Sequence, residues 1–199
     1  MTSPRLDFWL DYASTYSYPA AERIAALAHS AGVSVRWRPF LLGPIFQAQG
    51  WDTSPFNIYP NKGQYMWRDL ERICADLGLP LRRPEPFPQN SLLAARVAMI
   101  GFAEGWGEDF SRATYRAEFG DGHNISDPAV IAVILNKLKL NAAAALQQAQ
   151  APENKGRLRS ETEEAQRIGI FGAPSFVTAN GELFWGNDRL EAALVWARR

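Results

Sequence analysis

Arg5-Leu-Asp-Phe-Trp-Leu10, then Asp11-Tyr-Ala-Ser14-Thr-Tyr-Ser17, then Tyr18 to Arg38 form the stretch that decides the fold. The first six residues are an apolar run of strand length, and Asp11 to Ser17 breaks it with turn-forming polar groups. From Tyr18 to Ala31, alanine, leucine and isoleucine recur at helical spacing, and Gly32 stops that helix. Val33-Ser-Val-Arg-Trp-Arg38 alternates apolar with polar residues, a strand signature, and Pro39 follows it. This is a β-α-β unit. Its first strand-to-helix turn is where such units present functional groups.

Further out, the middle of the chain reads as helical. Met66, Leu70, Ile73, Cys74 and Leu77 share one helical face between Lys62 and Gly78. Asn90 and Ser91 suit the cap of a helix to about Glu104, and Asp127-Pro128 opens one through Leu138. Asn141 with the alanines after it, and Arg157 to Ile168, supply two more, while Gly43 to Pro60 is turn-rich and is expected to be a closing loop. The end returns to sheet: Ser175-Phe-Val-Thr-Ala, the turn pair Asn180-Gly181 and Glu182-Leu-Phe-Trp predict a hairpin with a two-residue turn. Asn187-Asp188 then caps a last helix, Arg189 to Arg198. The order β-α-β, helices, β-β-α predicts an α/β thioredoxin-like fold with an inserted all-helical domain. Residues 1–42 and 170–199 would form the thioredoxin-like part and residues 43–169 the insertion.

Composition narrows the function classes. Across 199 residues, 21 Lys+Arg balance 21 Asp+Glu, which argues against a nucleic-acid partner. The pairs Arg82–Arg83 and the set Lys155, Arg157, Arg159 read as solvated faces. The N-terminus lacks the pattern of a signal peptide, and no apolar run nears the roughly 18 residues of a membrane helix, so a cytoplasmic protein without membrane contact is expected. Cys74 is the one cysteine, and with only His29 and His123 beside it neither a disulfide nor a metal site is expected. No Gly-x-Ser-x-Gly elbow supports a serine hydrolase, and Gly120-Asp-Gly122 is no dinucleotide fingerprint. The 7 tryptophans and 11 phenylalanines suit a pocket for a flat substrate and suit a core equally.

Three short segments carry the candidate chemistry. Where thioredoxin-like proteins hold Cys-x-x-Cys, this chain has Ser14-Thr15-Tyr16-Ser17. A serine cannot shuttle disulfides, but its hydroxyl can donate to a thiolate brought in by a ligand, and the helix N-terminus adds to that stabilisation. About 1.4 kcal/mol lowers a thiol pKa by one unit from a starting value near 8.5. Ser14 as a simple helix cap is the alternative. Pro174, before the third strand, is expected to be cis, leaving the Ala173 backbone to pair with a peptide ligand. Asn187 and Asp188 read equally well as caps of the last helix or as an anion site with a carboxylate for an ammonium group.

Seven segments in order resemble the 2-hydroxychromene-2-carboxylate isomerase family, in the DsbA-like group that includes kappa-class glutathione transferases. They are Asp11 to Tyr18, Arg38-Pro-Phe-Leu-Leu-Gly43, Lys62 to Leu70, Phe87-Pro-Gln-Asn90-Ser, Ile125-Ser-Asp127, Gly172-Ala-Pro174-Ser-Phe and Phe184-Trp-Gly-Asn-Asp188-Arg-Leu. The resemblance implies a glutathione-dependent cis–trans isomerase of 2-hydroxychromene-2-carboxylate, yielding trans-o-hydroxybenzylidenepyruvate, or of a related aromatic catabolite. It implies Ser14 as the catalytic group and Ser14, Ala173, Pro174, Asn187 and Asp188 as glutathione contacts, with a homodimer as the assembly. Members often carry proline where Thr15 stands, and an asparagine in the loop after the second strand for which Trp51, Asp52 or Asn57 substitutes here. A kappa-type transferase and a non-catalytic glutathione binder are the alternatives; Ser14 and Ser17 argue against a disulfide oxidoreductase.

Overall fold

The computed structural model describes residues 4–199. β1 (Arg5–Leu10) sends its side chains alternately into two cores, as strand geometry requires. Leu6, Phe8 and Leu10 join the larger core with α1 (Ser17–Ala31), α10 (Leu190–Trp196) and Phe176; Trp9 enters a smaller one with Phe40, Ile45, Ala165 and Ile170. β1 pairs in parallel with β2 (Ser34–Pro39) and antiparallel with β3 (Ser175–Thr178), which pairs antiparallel with β4 (Leu183–Trp185). The sheet order is β2-β1-β3-β4. Buried Asp7 faces Arg36 in register, and the Arg36 guanidinium pairs with it in a two-pronged contact. Arg38 reaches the same carboxylate and Glu161 of α9 (Pro152–Arg167), so a salt-bridge network ties the sheet to that helix.

Between the two halves of the sheet the regular elements are helical. They are α2 (Leu42–Ala48), α3 (Pro55–Ile58), α4 (Pro60–Leu77), α5 (Leu92–Glu104), α6 (Gly107–Tyr115), α7 (Pro128–Lys137), α8 (Ala142–Ala149) and α9. Asp127 caps α7 through the Ala129 amide and Asn141 caps α8 through Ala144, the expected signals. Several expectations need correction. The 43–60 segment holds α2 and α3: Pro44 lies in the first turn of α2, and Pro55 opens α3, positions where proline is tolerated. α6 and the π-helical turn Arg116–Gly120 lie where no helix was expected, and α9 begins at Pro152 rather than Arg157. The hairpin loop has three residues, Ala179 to Gly181, since Thr178 and Glu182 still pair and Gly181 takes φ +88°. The last helix is preceded by a 3₁₀ turn, Asn187–Arg189, with no side-chain cap.

Glu118, on the π-helical turn, is fully buried, and neither carboxyl oxygen has a partner among the described residues. Burial holds its proton well above the ordinary 4.5, with the Asp11 charge adding to the effect. The folded chain therefore keeps a proton that the unfolded chain releases, and stability falls as pH rises from about 4.5 towards the folded value. Glu118→Gln is expected to flatten this slope. Urea unfolding should show the variant more stable than wild type by about 1–3 kcal/mol above the folded pKa and equal to it near pH 4. Parallel curves for the two chains would count against an ionising Glu118.

Candidate active site

The site is assembled from the turn that follows β1. Asp11, 2% exposed, accepts from the Ala13 amide (2.9 Å) and from the Leu42 amide at the start of α2 (2.7 Å). Its backbone carbonyl takes the Ser14 amide and the Tyr115 hydroxyl, both at 3.0 Å. Burial pushes the carboxyl up from its ordinary value, and the Leu42, Ser91 and Ala13 donors oppose that shift. One residue thus joins the turn to α2 through its side chain and to Tyr115 of α6 through its carbonyl. Sequence reasoning missed this role; the local signal is an aspartate two residues before an amide it can accept from.

Ser14 is 7% exposed and lies between two backbones. Its hydroxyl donates to the Ala173 carbonyl at 2.8 Å and accepts from the Ser17 amide at 3.3 Å, where α1 begins. The cap and the bridging group are therefore the same side chain. Among the described residues, the Thr15 and Tyr16 amides donate to no acceptor, so two N–H groups remain free at the positive end of α1. Thr15 donates its hydroxyl to Met66 Sδ (3.0 Å) and the Tyr16 hydroxyl donates to Asp69 (2.9 Å), both on α4. Burial and that hydrogen bond raise the Tyr16 phenol, keeping it protonated.

These groups border a cleft of about 1120 Å³. Ser14, the cis Ala173–Pro174 bond and Gly172 lie on the sheet side; Phe46, Trp51 and Phe56 come from the α2–α3 segment. The expected contacts divide. Ser14, Ala173, Asp52, Trp51 and Asn57 border the cleft together. Pro174 is buried directly behind Ala173. The Ala173 carbonyl is occupied by Ser14, and only its N–H has no partner among the described residues. Asn57 is committed to the Phe87 carbonyl and to Thr53. Asn187 and Asp188 do not border the cleft. Asn187 is buried, its side-chain and backbone oxygens accepting from Arg23 of α1 at 3.0 Å each. Asp188, 73% exposed, turns over Gly186 and pairs with Arg189 at 3.5 Å. Arg23 is what the linear pattern could not reveal, since it lies 164 residues from Asn187. Cys74 is buried on α4, does not border the cleft, and burial pushes its thiol up to about 11. Among the described residues no group of three metal-ligating side chains occurs, and no helix is long and apolar enough to cross a membrane.

A four-stranded β2-β1-β3-β4 sheet with a cis proline facing the start of α1 defines the class, and the chain belongs to the DSBA-like thioredoxin domain family, whose profile matches residues 5–194. It is 29% identical over 187 residues to the 2-hydroxychromene-2-carboxylate isomerase of Sphingobium xenophagum, with 94% of each chain covered. It is 25% identical over 199 residues to glutathione S-transferase kappa 1 of Homo sapiens, covering 94% of this chain and 87% of that one. A solved 2-hydroxychromene-2-carboxylate isomerase superposes with a TM-score of 0.86 at 26% identity, covering 98% of this chain and 96% of the other.

Proposed function

We propose that the chain is a glutathione-dependent isomerase acting on 2-hydroxychromene-2-carboxylate or a closely related conjugated aromatic acid. The observation that carries this is the Ser14 hydroxyl, set at the start of α1 opposite Ala173 in an aromatic cleft that the chain's own cysteine does not border. The residues fit the tripeptide. The Ala173 N–H, free within the described residues and beside a cis proline, suits pairing with an extended peptide carbonyl. Asp52 is the carboxylate that the cleft wall offers to an ammonium group; Asp188, outside the cleft lining, would serve only if the ligand extends past it, on a turn that Asn187 ties to Arg23.

When bound, glutathione supplies a thiolate that can add to and leave an unsaturated carbon, making a double bond transiently rotatable. Ser14 has one proton to donate. A hydrogen bond to a charged acceptor contributes about 1.5–3 kcal/mol against about 0.5–1.5 for a neutral one. The hydroxyl is therefore expected to turn from the Ala173 carbonyl to a sulfur anion, while the Ser17 amide keeps its oxygen in place. The free Thr15 and Tyr16 amides add positive potential at the same point. Together they would lower the thiol pKa by one to two units, about 1.4 kcal/mol each.

A kappa-type transferase is the second reading, supported by the human relative. Calorimetry with glutathione, followed by assay on 2-hydroxychromene-2-carboxylate with mass analysis of products, decides between them. Glutathione recovered unchanged beside an isomerised product supports the isomerase. A stable conjugate supports the transferase, and binding without turnover of either kind leaves a binding protein. No affinity for glutathione would end the proposal.

A further inference from the structure

We propose that Phe171 and Trp185 form a shelf that selects planar, conjugated substrates for this cleft; where the reacting carbon meets sulfur rests on the thiol placement at Ser14 argued above. Both rings border the cleft, with centroids 5.0 Å apart. Phe171 is 47% and Trp185 51% exposed, although the chain buries Phe8 and Trp9 completely. A single exposed aromatic is ordinary; two adjoining ones beside Ala173, their planes tilted 60° to one another, leave exposed ring surface in the cleft on which a flat ligand can pack.

The shelf is held by backbone. Trp185 pairs with Ser175 across β3 and β4, the Gly186 amide donates to the Pro174 carbonyl at 2.9 Å, and the Ser175 hydroxyl donates to the Gly172 carbonyl at 2.8 Å. Gly172 is what lets the indole approach the backbone there, since a Cβ at that position would fall 2.4 Å from Trp185 Nε1. The next residue, Ala173, is the one whose carbonyl Ser14 holds. Trp185 therefore packs on the residue next to the one whose carbonyl Ser14 holds, so a ring on it would sit on the Ser14 side of the cleft. Phe46 and Trp51, 5.8 Å apart, supply a second aromatic wall from the α2–α3 segment. Aromatic faces offset a flat ligand well and a puckered one poorly.

Two carboxylic acids of like charge test this by calorimetry on the full chain without glutathione: trans-cinnamate, which is flat, and 3-cyclohexylpropanoate, which is puckered. Wild type is expected to bind cinnamate at least tenfold more tightly. Trp185→Leu should erase that preference, Trp185→Phe should keep most of it, and Gly172→Ala should weaken it by lifting the indole. Glutathione affinity, measured in parallel, should change less than twofold in Trp185→Leu. Equal weakening for both acids, or a fall in glutathione affinity with cinnamate unaffected, would overturn the shelf. A wild-type chain that separates the two acids yet takes no glutathione upholds the shelf and overturns the thiol placement.

Discussion

Ser14→Ala is expected to lower turnover by two to three orders of magnitude at pH 7 while leaving a folded chain. The size follows from removing one preorganised donor aimed at developing charge, which typically costs 10²–10³ in rate. The structural cost is smaller. The substitution removes one hydrogen bond to Ala173 and one from the Ser17 amide, about 1 kcal/mol each. A melting temperature lowered by only a few degrees, alongside a collapse in kcat, would separate the two effects. The defect should also shrink as pH approaches the free thiol value of about 8.5, because solution then ionises the sulfur that Ser14 no longer assists. A variant with wild-type turnover, or one whose deficit is the same at pH 7 and pH 9, removes Ser14 from the mechanism.

Phe8→Ala is expected to destabilise the fold by about 3–5 kcal/mol, the range for emptying a buried aromatic site. Phe8 sits in the middle of β1, opposite Trp37 on β2 and Phe176 on β3, with ring centroids 4.8 Å and 5.3 Å away. Its removal opens the junction of both strand pairings, and the neighbouring rings are themselves pinned and cannot collapse inward. Such a loss is a large share of the about 5–15 kcal/mol that holds a typical domain. Urea titration should show a lowered midpoint with an unchanged slope. A loss under 1 kcal/mol would mean that the two strand pairs hold together without this ring.

The two ends of the chain were legible because local pattern and final environment agree there. The β1 run, the α1 spacing and the alternation in β2 match the observed elements to within a residue or so, and the Pro174 bond is cis as the fold requires. The 43–60 segment misled because Gly43, Pro44 and Pro55 punctuate like a loop although both prolines stand where a helix accepts them. α9 hid its start because Ala151 offers no capping oxygen. In the site, Ser14 stood out from its turn, whereas Asp11 did not: its partners Leu42 and Tyr115 come from remote segments that only folding brings near. Asn187 shows the same limit, as its contact with Arg23 joins residues that are remote in the chain.

Of the side-chain anchor points at Asp11, two are main-chain amides, those of Ala13 and Leu42. Amides are present whatever residue occupies the position, proline excepted, so the hold of Asp11 on the start of α2 does not depend on which side chain stands at position 42. Replacing Phe46, Trp51 or Phe56 would reshape the cleft while leaving that tether in place, so wall and corner are open to change one at a time.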